Sequence, residues 1–276
     1  MVYDTQGERV LLFGGNAYTF TTITSDETWA YDGSAWTELT PALSPPARKL
    51  HAMAYDKDRD EVVLFGGVDQ SDSDYFNDTW VYDGETWEQR TPPASPPADW
   101  GMSMAYDSAR DEVVMFGGIF AGDRTWVWDG TTWEERFPAV SPRARYSSGM
   151  AYARSRQQVV LYGGTNGRFR HGDTWAWDGE TWALEALTAS PSPRSNAAMS
   201  AFGKRVVLFG GSTDTDHSVD ETWVLRADKW AQIAADPPPS RVGATMAYDS
   251  ARKEAVLFSG VGESSEFLGD TWLLQR

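Results

Sequence analysis

Three histidines, four regularly placed arginines and one tryptophan out of pattern are the residues of this 276-residue chain whose types and spacing could do chemistry. His51, His171 and His217 offer imidazole for acid-base work or metal ligation. They stand far apart in the chain and would share one ligand sphere only through long loop excursions. The acidic runs Asp69-Gln70-Ser71-Asp72-Ser73-Asp74 and Asp214-Thr215-Asp216 lack the glycine and distal glutamate of a calcium loop. Cysteine is absent, which removes thiolate ligands and thiol nucleophiles together. Neither a nucleophile elbow, a P-loop nor a His-Glu-x-x-His motif occurs. No catalytic residue, metal site or cofactor is assigned from the sequence.

Binding chemistry is better represented. Arg48, Arg145, Arg194 and Arg241 stand at equivalent places, next to Lys49, Tyr146, Ser195-Asn196 and Val242. At the corresponding point between Arg48 and Arg145 the chain has Asp99 followed by Trp100. A guanidinium grips a carboxylate in bidentate fashion. An aromatic side chain beside it stacks on a sugar ring, on proline or on another aromatic side chain. Each arginine has a second use, an ion pair between neighbouring repeats with the acid that precedes a Thr-Trp pair, such as Asp78 or Glu221.

The elements that must position these residues come from a repeat. A Leu-Phe-Gly-Gly string or a close variant recurs at Gly14-Gly15, Gly66-Gly67, Gly117-Gly118, Gly163-Gly164, Gly210-Gly211 and, as Ser-Gly, at Ser259-Gly260. A Thr-Trp pair follows each, at Thr28, Thr79, Thr125, Thr174, Thr222 and Thr271, with a period of 46 to 52 residues. In the second copy, Leu50 to Asp56 and Glu61 to Phe65 flank a polar turn and read as a hairpin. Thr79 to Tyr82 and a strand around Trp87 flank Asp83-Gly84, which predicts a tight turn. The same dipeptide stands at Asp32, Asp129 and Asp178, while Arg226-Ala227-Asp228 predicts a looser turn in the fifth copy. Pro-rich linkers such as Ser44 to Arg48 carry the chain onward. Four-stranded sheets with two apolar faces bury both only by stacking on neighbours. The prediction is an all-β, six-bladed β-propeller of four-stranded antiparallel blades with the last blade incomplete. It is one domain over 1–276, with repeats 1–48, 49–99, 100–145, 146–194, 195–241 and 242–276.

The diglycine, the paired aromatics and the spacing resemble the Kelch repeat family over essentially the whole chain. Thirteen of the 14 tryptophans fall on repeat positions and read as packing between blades; Trp100 is the exception. The resemblance implies a binding face more than a reaction. Galactose oxidase, of Kelch type, needs a cysteine that this chain lacks, and His217 lacks the acid four residues earlier that iron-dependent nitrile-specifier proteins use. Kelch adaptors that bind peptides, and sialic-acid mutarotating propellers, use arginine and polar residues at a central mouth.

The loops between second and third strands diverge, at Val68 to Asp78, Ile119 to Arg124, Thr165 to Asp173, Ser212 to Glu221 and Val261 to Asp270, whereas the turns at the other edge barely change. Divergent loops on a fixed scaffold are where binding concentrates. The candidate ligand-binding set is therefore Arg48, Lys49, Trp100, Arg145, Tyr146, Arg194, Asn196, Arg241 and His217. The ligand class is an extended peptide or a carbohydrate. The alternatives are a propeller enzyme acting on a sugar or small metabolite by acid-base chemistry, and a scaffold domain of a longer protein. A net charge of −16 repels phosphate backbones, so nucleic acid is not expected. No apolar run reaches membrane-spanning length, and the chain is expected to act as a monomer without membrane contact. Met1 aligns with Met53, Met104, Met150, Met199 and Met246, which leads to the expectation of about 20 further residues upstream, where any export signal would lie. No compartment is assigned.

Overall fold

The computed structural model describes residues 1–18, 22–215, 217–233 and 236–275. Its described residues form strands and no helix, in the fold class of the six-bladed β-propeller. The chain divides into two compact units, Met1–Phe137 and Pro138–Arg276, with three blades in each.

In the first unit the blades are Val2–Asp4, Arg9–Tyr18, Thr22–Tyr31 and Trp36–Leu39; Ala52–Asp56, Glu61–Phe65, Thr79–Tyr82 and Trp87–Arg90; and Ser103–Asp107, Glu112–Phe116, Thr125–Trp128 and Trp133–Arg136. In the second they are Gly149–Ala153, Gln158–Tyr162, Thr174–Trp177 and Trp182–Leu184; Ala198–Phe202, Arg205–Phe209, Thr222–Leu225 and Trp230–Ile233; and the three strands Thr245–Asp249, Glu254–Phe258 and Thr271–Gln275. Within the blades all pairing is antiparallel and follows chain order. A short ladder of Arg194–Ser195 with Ser212–Thr213 stands apart from the blades.

The second strand of each blade is a β-branched and aliphatic run because it is covered on both faces: Val62, Val63, Leu64 and Phe65 are all buried. Sheet packs on sheet within each unit. Ala54, Val63 and Phe65 of the second blade meet Met104, Val113, Trp126 and Trp133 of the third. Ala151, Val160 and Tyr162 of the fourth meet Val206, Leu208 and Trp230 of the fifth.

The tryptophan that opens a fourth strand carries the blade-to-blade contact. The Trp87 indole N–H donates to Thr28 Oγ1 at 3.0 Å, Trp133 to Thr79 at 2.8 Å and Trp230 to Thr174 at 3.0 Å. Each acceptor is the threonine of the preceding blade's Thr-Trp pair. Edge-on aromatic contacts to Phe13, Phe65 and Tyr162, at 5.2 to 5.5 Å, complete each slot. Burying such an indole contributes about 4–6 kcal/mol by area, as an upper bound. The hydrogen bond adds direction, and the two repeated motifs thereby explain each other.

The turns between third and fourth strands differ from the tight turn expected. Tyr82 pairs with Trp87, so Asp83 to Thr86 form a four-residue loop. The Asp83 carboxylate accepts the N–H groups of Glu85 and Thr86 at 2.9 Å, and only Gly84 takes a positive φ, of 101°. The aspartate works as a side-chain cap rather than as a left-handed residue. Leu225 pairs with Trp230, so the fifth blade keeps the same loop length without that cap, and it is no looser.

Thr79→Val, Trp133→Phe and their combination form a mutant cycle whose coupling in urea unfolding is expected to be about 1 kcal/mol. Trp133→Ala is expected to cost about 3–5 kcal/mol.

Candidate functional site

The divergent loops leave one edge of each blade, where the second strand ends on its diglycine and the next linker arrives. Both glycines of Gly66-Gly67 take positive φ, 67° and 98°. A Cβ on Gly66 would lie 2.8 Å from the Asp99 carbonyl oxygen, and Gly67 N–H donates to that same oxygen at 2.9 Å. The pair thus lets the strand end of one blade touch the backbone of the next linker. Gly15 with Arg48, Gly164 with Arg194 and Gly211 with Arg241 repeat the contact at 2.9 to 3.0 Å.

The arginine supplying that carbonyl sends its side chain the other way. Arg48 is fully buried, its Nε donates to Pro46 O, and Nη1 donates to Gly66 O at 3.0 Å. Nη1 and Nη2 together fork onto the Asp78 carboxylate at 2.6 and 2.8 Å. Asp78 also accepts the Trp80 indole N–H at 2.6 Å, and the guanidinium carbon sits 4.0 Å from the Phe76 ring centre. Arg145 repeats the arrangement with Gly163 and Asp173 and Arg241 with Ser259 and Asp270, while Arg194 reaches Gly210 O through Nη1 and Glu221 through Nη2 alone. The acid partners are those read from the sequence, but each pair lies within one blade. The arginine precedes the first strand of the same sheet whose third strand follows the acid. It staples linker, second strand and third strand at one point.

These ion pairs set the acidity of the carboxyls. Burial works to raise Asp78, Asp173 and Glu221, but hydrogen bonds and charge from the arginine, joined by the indole two residues on, hold all three below their ordinary values. Asp270 is held down first by its Arg241 hydrogen bonds, against burial, and falls to about 2.

The third blade departs from the scheme. Asp99 is buried, and its carboxylate accepts the backbone N–H groups of Trp100 at 2.8 Å, Phe120 at 3.2 Å and Ala121 at 2.6 Å. Arg124 replaces the acid before Thr125, and its Nε lies 3.6 Å from Glu135. The reversed charges therefore do not rebuild the ion pair. The carboxylate instead clamps the short loop after Gly118 and presents Phe120, which is 60% exposed. Trp126 accordingly lacks the acid that receives the indoles of Trp80 and Trp175, and its Nε1 is buried without a hydrogen-bond partner.

Of the sequence candidates in the first unit, Lys49 is half-buried and reaches Asp72 at 2.9 Å, and Trp100 is half-buried. In the second unit Tyr146 is half-buried, while Asn196 and His217 are exposed. Asp216 and Arg276 lie outside the described residues. The structure brings Asn196 into a backbone relay: its N–H donates to Ser147 O, and its carbonyl accepts from Gly243 N–H, both at 2.9 Å. Gly101 N–H donates to Leu50 O in the same way. All five take positive φ, 57° at Leu50 and 55° at Asn196. The other two histidines sit inside loops. Burial keeps His51 well below its ordinary pKa, with the amino terminus and Arg48 adding to it, and burial with Arg145 lowers His171 too, so both are neutral at neutral pH. Among the described residues no three His, Asp or Glu side chains gather as a metal site.

Exposed aromatic side chains of the divergent loops were not among the sequence candidates. Tyr75 and Phe120 meet edge-on at 5.1 Å at 40% and 60% exposure, and Phe169 and Phe267 are 44% and 40% exposed. Their signal in the sequence is a shared place, four or five residues before the Thr-Trp pair.

Residues 128–276, more than half of the chain, match the family model described as the KLHDC2/KLHL20/DRC7 Kelch-repeats domain, and the chain belongs to this family of Kelch-repeat domains. No curated protein matches it. Kelch propeller domains generally mediate protein interaction.

The depressed carboxyls make an acid limb testable. Their folded pKa values lie below the unfolded ones, so they add stability above about pH 4 that is lost as pH falls toward 2 and below. Urea midpoints measured from pH 6 to 2 are expected to fall over that window, and Arg241→Ala is expected to flatten part of the fall.

Proposed function

We propose that the loop edge is a protein-binding surface that takes an extended, basic peptide segment of a partner. Aromatic side chains held outward on clamped loops carry the reading. Phe120 stands out because Asp99 fixes the backbone beneath it, and Tyr75 packs against its ring. A rigid exposed aromatic pair offers contact area at little ordering cost. Exposed Asp74 beside Tyr75, together with the chain's net charge of −16, favours arginine or lysine in the partner.

In this reading the buried arginines Arg48, Arg145, Arg194 and Arg241 are posts rather than contacts, since their donors are turned to internal acceptors. The contacts of the first unit's surface fall to Lys49, Trp100, Tyr75 and Phe120; in the second unit, taken by itself, the candidates at the equivalent edge are Tyr146, Asn196, His217, Phe169 and Phe267. A carbohydrate would use the same aromatic rings without need of the acids, which is why a peptide is preferred.

Selection of a displayed random-peptide library on the immobilised chain is expected to enrich sequences with Arg or Lys next to an aromatic or proline. Tyr75→Ser with Phe120→Ser should weaken the enriched peptides at least about tenfold without lowering the unfolding temperature, since both rings are exposed. Enriched peptides that bind the double variant equally well would refute the site. A glycan array positive that the same variants abolish would replace the peptide by a sugar.

A further inference from the structure

One place in the second unit carries charge opposite to that of the chain. At the strand ends away from the divergent loops, where the fourth and fifth blades meet, lies an open cavity of about 620 Å³ whose polar lining is Ser155, Arg156, Lys204, Arg205 and Arg226. No acid lines it, although the chain's net charge is −16. Its size is that of a small-molecule site.

Strand register shows that these cations stand where other blades place acids. Glu61 and Glu112 open second strands and pair with Asp56 and Asp107, whereas in the fifth blade Arg205 opens that strand and pairs with Phe202. In the fourth blade the same two places hold Ala153 and Gln158. Arg226 follows Leu225 where Asp83 follows Tyr82, so the carboxylate that caps this loop as Asp83, Asp129 or Asp178 is replaced by a guanidinium. The fifth blade's first turn is also short: only Gly203 and Lys204 lie between the paired Phe202 and Arg205, against Lys57 to Asp60 in the second blade. The short turn leaves room for the cavity.

Arg156 forms its fixed wall. Arg59 and Arg110 meet an aspartate three residues earlier, but Ala153 holds that place here. The Arg156 guanidinium donates instead to Glu185 at 2.8 Å and to the carbonyls of Arg226 and Ala227 at 2.8 and 2.7 Å. Ser155 N–H donates to Lys204 O at 3.0 Å. Both cation-bearing turns of the fifth blade are thus tied to the fourth. Lys204, Arg205 and Arg226 are exposed, and among the described residues their side chains make no hydrogen bond or ion pair. Asp228, exposed on the same loop as Arg226, is the nearest acid in sequence and does not line the cavity.

We infer that this cavity binds a small, multiply charged phosphate ligand. Guanidinium groups match phosphate oxygens in planar forks, and lysine adds a point charge. Cations gathered in a cleft without a carboxylate concentrate an anion there. A small ligand is favoured over a phosphate polymer or an anionic membrane because the chain's overall charge repels extended anions. The site lies at the other end of the strands from the divergent loops and does not depend on their role.

The probes are inorganic tripolyphosphate and a nucleoside triphosphate, each titrated calorimetrically into the full chain at one low ionic strength. Saturable one-to-one binding is expected. Arg205→Ala with Arg226→Ala is expected to weaken it at least about tenfold. A control pair that removes two exposed cations elsewhere, Lys57→Ala with Arg168→Ala, is expected to change it less than about twofold. Lys204→Gln alone is expected to weaken it about threefold, which keeps the test open if the double variant unfolds. Tighter binding of the nucleotide would assign Ala153, Val206 and Leu225 to its organic part, and equal binding would assign the site to the phosphate chain; either supports the inference. Absence of saturable binding, or equal losses in the two variant pairs, would overturn it. Tighter binding of a hexa-aspartate peptide than of either phosphate would also overturn it and assign the cations to an acidic protein segment.

Discussion

A guanidinium buried at the start of a blade and bonded to a carboxylate of the same blade is the interaction on which the rest of this structure depends. Charge burial is unfavourable unless the donors are taken up, and here they are. In each of four blades the arginine meets a linker carbonyl, the carbonyl of the first residue in the Gly-Gly or Ser-Gly pair, and an acid that also receives an indole. The carbonyls of Arg48, Arg194 and Arg241 are meanwhile held by the preceding blade's second glycine. One residue thereby joins three segments of its own sheet and one of its neighbour.

That joint explains why the loops it anchors can vary while their ends do not. Everything between the diglycine and the acid before Thr-Trp is free to change length and sequence, because both boundary points are gripped by the same side chain. The third blade shows how much variation the design tolerates. With Asp99 in place of arginine, a carboxylate grips backbone N–H groups of the loop itself, and the loop shortens and turns an aromatic ring outward. A fixed frame with adjustable loops suits the protein-interaction role general to Kelch propeller domains.

The blade order, the strand runs and the packing role of the tryptophans were legible in the sequence because each rests on a signal repeated at one spacing. The acid partners of the arginines were legible for the same reason. Whether those pairs join blades or stay within one was not, since it depends on where a Pro-rich linker crosses the sheet edge, and sequence spacing does not carry that. Asp-Gly alone does not set the turn after the third strand. The Asp83 carboxylate caps two backbone N–H groups, and a side-chain cap sets a longer loop than two left-handed residues do. Spacing does not mark Phe120 and Tyr75 as a surface pair, because their contact crosses from one blade's loop to the next and the exposure of Phe120 follows from Asp99. Leu50 and Ser147 carry no recognisable mark for their left-handed backbone, where glycine stands at Gly101 and Gly243 and asparagine, a type that tolerates it, at Asn196.

The arginine staple is the device that holds the variable loops. Amide hydrogen exchange of Arg48→Lys, which keeps the charge and loses the planar fork, tests this most directly. The account predicts exchange at least about tenfold faster over residues 66–78, with Val62 to Phe65 as protected as before. Unchanged exchange over 66–78 would contradict it.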